Sequence, residues 1–207
     1  MTASPREAPA EDAEDAARTE DDAALIERSR GEPEAFAELY DRHAPSIHRY
    51  VRRRLGDEAA DDVVAETFLA AFRRRERYDP ARPDALPWLY GIAANLVGKH
   101  RRSESRMLRA LARTGTDPVT DSIEGADARV SAAACSRELA GALAKLPAGD
   151  RDVLLLVAWA DLSYQQVAEA LSIPLGTVRS RLNRARRKVR EALGGSDPTG
   201  IVQEETE

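Results

Sequence analysis

LSYQQVAEALSIPLGTVRSRLNRARRKVREAL, Leu162–Leu193, is the stretch on which the reading of this chain turns. Its first part predicts a short helix over about Ser163–Leu171. Ser163 suits the N-cap and Gln166, three positions on, completes a capping box, since each side chain can satisfy a backbone N–H of the other. Val167, Ala168 and Leu171 give that helix one apolar face. Ser172-Ile173-Pro174 then interrupts, because proline cannot continue a helical ladder but is tolerated in the first turn of a new helix. The second helix turns Val178, Leu182, Ala185 and Val189 inward. Around them lie Arg179, Arg181, Arg184, Arg186, Arg187, Lys188 and Arg190, with Ser180 and Asn183 among them. A short helix, a tight turn and a basic helix are the parts of a helix-turn-helix.

The chemistry of that pattern points to DNA. An α-helix fits the major groove, where Arg bonds guanine O6 and N7 and Asn pairs with adenine. The backbone amides of Gly176 and Thr177, at the helix N-terminus, suit a phosphate oxygen. The remaining arginines neutralise phosphates and make binding fall steeply with salt. A charge run on a bundle surface is more often just solvated, but here the turn, the proline and the polar readers coincide.

The formal charge of −5 looks wrong for such a protein until it is divided by region. Residues 1–24 hold Glu7, Glu11, Asp12, Glu14, Asp15, Glu20, Asp21 and Asp22 against only Arg6 and Arg18, so the acid is concentrated in a tail. That tail lacks apolar periodicity and is expected to be disordered. A single cysteine, Cys135, excludes an internal disulfide and suits a reducing cytoplasm. No apolar run approaches the roughly 20 residues needed to span a bilayer and no signal-peptide pattern opens the chain, so a cytoplasmic protein without membrane insertion is expected.

Between the tail and the helix-turn-helix the pattern stays helical, and the fold class is all-α. A helix from Pro33 carries Phe36, Leu39, Tyr40, Ile47, Tyr50 and Val51 at helical spacing, with Pro45 expected to kink or split it. After Gly56-Asp57 a second helix puts Ala60, Val63, Val64, Thr67, Phe68, Ala71 and Phe72 on one stripe. Its opposite face, with Asp61, Asp62, Ala65, Glu66 and Leu69, is an acidic and apolar surface open to a partner. The turn residues of Tyr78–Asp84 predict a loop. A helix over about Leu86–Arg102 follows, apolar through Trp88, Leu89, Ile92, Ala93, Leu96 and Val97, with Asn95, Lys99, Arg101 and Arg102 on its polar side or end. A basic helix with an Asn, entered by a loop bearing Tyr78, suits single-stranded DNA. By periodicity Trp88 reads as core before it reads as a base-stacking platform. Residues 103–134 change character and read as a linker, flexible over about 114–131, where about 20 residues have a root-mean-square reach near 25 Å. A second domain occupies 135–193, and the tail 194–207 is too short to be another. The expected architecture is thus two small helical domains, 25–102 and 135–193, on a flexible linker.

Three motifs in series, DDVVAETFLAAFRR (61–74), WLYGIAANLVGKHRR (88–102) and LPAGDRDVLLLVAWADLSYQQVAEALSIPLGTVRSRLNRARRKVREAL (146–193), make the chain resemble a bacterial RNA polymerase sigma factor of the sigma-70 family. It is similar to the small extracytoplasmic-function (ECF) group, which keeps only sigma domains 2 and 4. The resemblance implies that core RNA polymerase is bound, brought to promoters and helped to open DNA. It places the polymerase contact on Asp62, Ala65 and Glu66, although glutamine is usual where this chain has Ala65. It assigns the −10 element to Asn95, Lys99, Arg101, Arg102, Tyr78 and Trp88, with Asn95 receiving a flipped base. It assigns the −35 element to Gly176, Thr177, Arg179, Ser180, Asn183, Arg184 and Arg187, the last on phosphate. Promoter DNA, duplex at −35 and single-stranded at −10, is the implied ligand, and an anti-sigma factor a further implied partner.

An enzyme finds no support. Gly91 and Gly98-Lys99 are separated by six residues rather than the four of a phosphate loop, and His100 follows where Ser or Thr is needed. His43, His48 and His100 lack metal-ligand spacing, and no cofactor is expected. From the residues alone, an operator-binding regulator without polymerase or a protein-only adaptor stays open. The first leaves Leu86–Arg102 and the acidic helix face without purpose, and the second predicts that reversing Arg179 and Arg184 is harmless.

Overall fold

Helix propensity and apolar stripes together make this chain a set of packed helices. The computed structural model describes residues 20–114 and 126–193, with side chains from residue 136 onward in the second stretch. In order the helices are α1 (Asp22–Arg28), α2 (Phe36–Leu55), α3 (Asp57–Arg74), α4 (Leu86–Lys99), α5 (Arg101–Thr114), α6 (Ala126–Lys145), α7 (Ala148–Trp159), α8 (Tyr164–Leu171) and α9 (Leu175–Ala192). No strand occurs among the described residues.

The first four helices share a core built from the predicted stripes. Leu39, Ile47, Tyr50 and Val51 of α2, Ala60, Val63 and Phe68 of α3, and Leu89, Ala93 and Val97 of α4 are buried together. Edge-to-face ring pairs lock them: Phe36 with Phe72 at 5.3 Å, Tyr40 with Phe68 at 4.8 Å, and Tyr50 with Tyr90 at 5.3 Å. Pro45 does not split α2, contrary to expectation. Its ring lies on the exposed side, while Leu39, Ala44, Ile47 and Tyr50 anchor the helix on either side of it. Packing here outweighs the penalty of roughly 3 kcal/mol for an internal proline. Gly56, with φ of 86°, makes the sharp passage from α2 to α3.

Three boundaries differ from the sequence reading. The acidic tail ends earlier than residue 24, because Glu20–Ala24 belong to the fold. Asp21 caps α1 by accepting the Ala24 N–H at 2.8 Å. The buried Asp22 carboxylate takes Arg42 at 2.7 Å, His43 at 2.7 Å and the Ala85 N–H at 2.9 Å. Burial works against that charge, but His43, Ala85 and Arg42 together hold Asp22 below the usual carboxylate range. Residues 1–19 and 194–207, for which tails are expected, lie outside the described residues, as does the side chain of Cys135. Secondly, the helix over Leu86–Arg102 ends at Lys99, and α5 starts anew after His100. Thirdly, the linker shrinks, since helix covers both 101–114 and 126–145, and the rest of it, 115–125, lies outside the described residues.

The two predicted domains are also docked, where independent tethered bodies are expected. α8 lies against α4 so closely that a Cβ on Gly91 would sit 2.2 Å from the Ala170 carbonyl oxygen. Arg82–Glu169 at 3.3 Å and Gln166 donating to Asp84 at 3.3 Å flank that contact. On the other side α2, α5 and α7 meet at a buried ionic cluster. Arg54 donates to Glu104 at 2.7 Å and to the Tyr50 hydroxyl at 2.7 Å, and pairs with Asp152 at 2.7 Å. Arg151 donates to the other Glu104 oxygen at 2.8 Å and to the Leu143 carbonyl at 3.2 Å. The Arg54 and Glu104 side chains are only 1% and 2% exposed, so their charges are met by the cluster rather than by water. Burial pushes the Tyr50 phenol up to about 12 despite the guanidinium beside it.

Candidate nucleic-acid and polymerase interfaces

The helix-turn-helix forms as its sequence dictates. The Ser163 hydroxyl accepts the Gln166 N–H at 3.2 Å and the Gln166 side chain accepts the Ser163 N–H at 2.9 Å, closing the capping box. Ser172 takes a left-handed conformation (φ 51°) and the Ile173 N–H returns to the Ala168 carbonyl at 3.0 Å, which turns the chain into α9. Val178, Leu182, Ala185 and Val189 are buried, which leaves Arg179, Ser180, Asn183, Arg184 and Arg187 exposed on the other side.

Not all of these are equally free. Arg184 grips Asp150 of α7 through two parallel hydrogen bonds, 2.7 and 2.8 Å. In the absence of DNA two of its donors are thus committed to holding α9 on α7, which its reading as a base reader does not anticipate. The Ser180 hydroxyl donates to the Thr177 carbonyl at 3.1 Å, and Arg187 lies 3.7 Å from Glu191. The Thr177 N–H is bonded to the Pro174 carbonyl at 2.8 Å, so of the two expected phosphate amides only that of Gly176 lacks a backbone partner among the described residues. Arg179 and Asn183 have no hydrogen-bonded partner there and project from the middle of the exposed face.

The hydrogen bonds from Arg184 hold the Asp150 carboxyl below its usual range. A carboxylate with a depressed pKa adds stability that is complete above about pH 4 and lost as pH falls through its folded value. Asp150→Asn should therefore be less stable than the native protein at pH 7, with the difference shrinking as pH falls below about 4; denaturant titrations at pH 7 and at successively lower pH check this.

On the other domain, Asp62, Ala65, Glu66 and Leu69 form one exposed stripe of α3, and Leu69 is 47% exposed although fully apolar. Next to it, Glu66, Leu69, Arg73, Ile92, Asn95 and Lys99 line an open groove of about 400 Å³ between α3 and α4. Lys99 reaches Glu66 across it at 3.4 Å. Asn95 is exposed there with no hydrogen-bonded partner among the described residues. The structure thus joins Asn95 and Lys99 to the acidic stripe, which the sequence reading keeps apart.

Tyr78 and Trp88 play a different part. Tyr78 is buried and donates to the Arg82 carbonyl at 2.8 Å, so in this arrangement it holds the loop from inside rather than facing the groove at Asn95. Trp88, half-buried and 4.9 Å from Tyr78, covers it, consistent with a packing role. Arg101 and Arg102 are exposed at the start of α5. Sequence reasoning missed the Arg54–Glu104–Arg151–Asp152 cluster and the anchoring of Ala85 by Asp22. Both join positions far apart in the chain, which no local pattern announces.

Comparison with known proteins gives the family. Residues 39–107 fit the family model of sigma-70 region 2, and residues 136–189 that of sigma-70 region 4. The chain is 38% identical over 157 residues to the ECF RNA polymerase sigma factor SigL of Mycobacterium tuberculosis, covering 75% of this chain and 86% of that protein. It is 31% identical to the ECF RNA polymerase sigma factor SigW of Bacillus subtilis, covering 79% and 91%. Among solved structures it is similar to CnrH in complex with the cytosolic domain of CnrY, with a TM-score of 0.59, 28% identity and coverage of 84% and 98%. With both sigma regions in place and relatives matched over most of their length, the chain belongs to the ECF group of RNA polymerase sigma factors, which direct transcription initiation at promoters.

Proposed function

We propose that this sigma factor holds core polymerase through the Asp62–Ala65–Glu66–Leu69 stripe, addresses the −35 element with α9 and opens the −10 element by capturing a base at Asn95. The observation that carries the reading is the unpartnered Asn95 amide in a groove flanked by Lys99, Arg73 and Arg74. Strand opening then needs no hydrolysis, because each captured base returns about 1–3 kcal/mol against the cost of unpairing. The chain acts by binding alone, in the cytoplasm. Base reading at −35 falls to Arg179 and Asn183, with Arg187 and the Gly176 amide on phosphates.

Docking of the domains is incompatible with reading both elements at once. The −35 and −10 elements lie about 25 base pairs apart, or about 85 Å at 3.4 Å per step. A domain of about 70 residues has a radius of gyration near 11 Å, so two in contact cannot bridge that span. Polymerase and promoter therefore select an undocked form, in which α8 leaves α4. A protein antagonist that favours the docked form would silence the chain; CnrH, which the fold resembles, is solved with the cytosolic domain of CnrY bound.

Asn95→Ala and Asn183→Ala separate the two tasks. In complex with core polymerase, Asn95→Ala should leave binding to −35 duplex within about twofold while open complexes, detected by permanganate reactivity, fall roughly 5- to 150-fold. Asn183→Ala should cost about 1–3 kcal/mol on the matched −35 duplex and little on a scrambled one. Equal losses in both assays for Asn95→Ala would assign that residue to the scaffold.

A further inference from the structure

We propose that the arginine face of α5 is a phosphate-binding track for the duplex immediately upstream of the −10 element, an inference that rests on the reading of α4 as the −10 helix. Arg102, Arg106, Arg109 and Arg113 recur at i, i+4, i+7 and i+11, which puts them on one face, and all are exposed. Several arginines elsewhere in this fold meet carboxylates: Arg28 meets Glu20, Arg42 meets Asp22, Arg82 meets Glu169 and Arg184 meets Asp150. On α5 they do not. Arg102, Arg109 and Arg113 have no ion pair or hydrogen bond among the described residues, and Arg106 has only the Ser103 hydroxyl at 3.1 Å. The one carboxylate of α5, Glu104, is turned inward to Arg54 and Arg151. With Leu108 it pins the helix from beneath, so the positive face is both uncompensated and held in place.

Shape and composition select the occupant. Two shallow concavities of about 670 and 650 Å³ run along the face and share Arg106 and Arg109. Arg102 to Arg113 spans about 16 Å of helix, the axial length over which one duplex strand presents about five phosphates. Every cation on the face is arginine, whose planar fork matches phosphate oxygens. α5 contains no aromatic residue, so it offers nothing for unstacked bases and is suited to backbone contact rather than single-strand capture. Its N-terminal end, Arg101 and Arg102, follows Lys99 of the −10 groove after the single residue His100, so the track continues from that groove along the chain. Arg106, Arg109 and Arg113 thus lengthen the DNA grip of the first domain in a register-free way, adding affinity and salt dependence without reading sequence.

The test uses the full chain with core polymerase and the triple variant Arg106→Gln, Arg109→Gln, Arg113→Gln. One template keeps the duplex between −35 and −10, and a second begins at the upstream edge of −10. On the first, the slope of log K against log salt should become shallower by about two to three units, near 0.9 for each lost phosphate contact. On the second it should not change, and a triple Arg→Lys variant, which keeps the charges, should retain most of the native slope on both. An unchanged slope on the first template overturns the proposal, as does an equal loss on both, which would assign these arginines to the melted strand or to polymerase. Loss in the Gln variant without a native-like unfolding transition passes the decision to the Lys variant, whose native slope supports the track and whose Gln-like loss on both templates overturns it. Failure of the native chain to start transcription at any promoter would instead sink the functional reading itself.

Discussion

Arg54→Ala lowers the stability of the folded, docked protein by about 3–5 kcal/mol, the usual effect of removing one partner from a buried ionic group. The substitution takes away the guanidinium that Glu104, Asp152 and the Tyr50 hydroxyl share, and leaves Glu104 with Arg151 alone. A carboxylate that has lost one of its two guanidinium partners at 2% exposure has almost no water to replace it. Because the cluster joins α2 and α5 to α7, the loss should appear first as undocking. Denaturant unfolding that follows both domains, by tryptophan fluorescence at Trp88 and Trp159, should split from one transition into two. The double variant Arg54→Met, Glu104→Gln should be less destabilised than the two single changes summed, since Gln still accepts from Arg151 and the buried carboxylate that Arg54 neutralises is gone with it. A single unshifted transition in Arg54→Ala would show that the cluster does not hold the domains together.

Gly91→Val separates the domains by a different route. At 2.2 Å from the Ala170 carbonyl oxygen, the new Cβ meets backbone on a helix, not the end of a flexible side chain. Neither helix can give way without moving as a whole, and overpacking of this kind costs about 1–3 kcal/mol or more. Within α4 itself the change is tolerable, because valine has a better helix propensity than glycine. The expected result is native helix content by circular dichroism with a larger radius of gyration by solution scattering, and loss of energy transfer between labels on the two domains. A native radius would mean that α8 and α4 pack differently from the arrangement described here.

The local half of this fold is legible in the sequence. The capping box at Ser163 and Gln166, the break at Pro174 and the inward stripe of α9 are all contained within windows of a few residues, and they appear as read. The same holds for the α3 stripe through Phe68 and for Asn95 on the polar side of α4. What composition and periodicity do not carry is pairing at a distance. Glu104 sits in a segment that reads as the start of a linker, yet it is the most enclosed carboxylate of the domain interface, 50 positions from Arg54. Arg184 reads as one basic residue among seven on its helix, and only the position of Asp150, 34 residues earlier, sets it apart. Asp22 looks like the last acid of a solvated tail until His43, Arg42 and the Ala85 N–H are seen around it. Gly91 carries no sign in the chain that another helix will press on it.

The docked arrangement and the sigma-factor role fit together when the interface is a reversible one. Its chemistry suits that use: one side is a close helix contact rimmed by two exposed polar pairs, the other a charged cluster with no net charge of its own. The former is easily parted, and the latter keeps the parted domains from re-joining out of register, since Arg54 and Arg151 must find Glu104 from opposite sides.

The most direct test of the central claim is initiation by core RNA polymerase supplied with this chain on a library of genomic fragments. Transcripts should start from a defined set of fragments sharing one −35 and one −10 sequence. They should be lost with Asn183→Ala on matched −35 sites and blocked at the opening step with Asn95→Ala. Binding of the same fragments by the isolated chain with no polymerase-dependent transcript, and no co-elution with core polymerase, would contradict the claim and identify an operator-binding regulator instead.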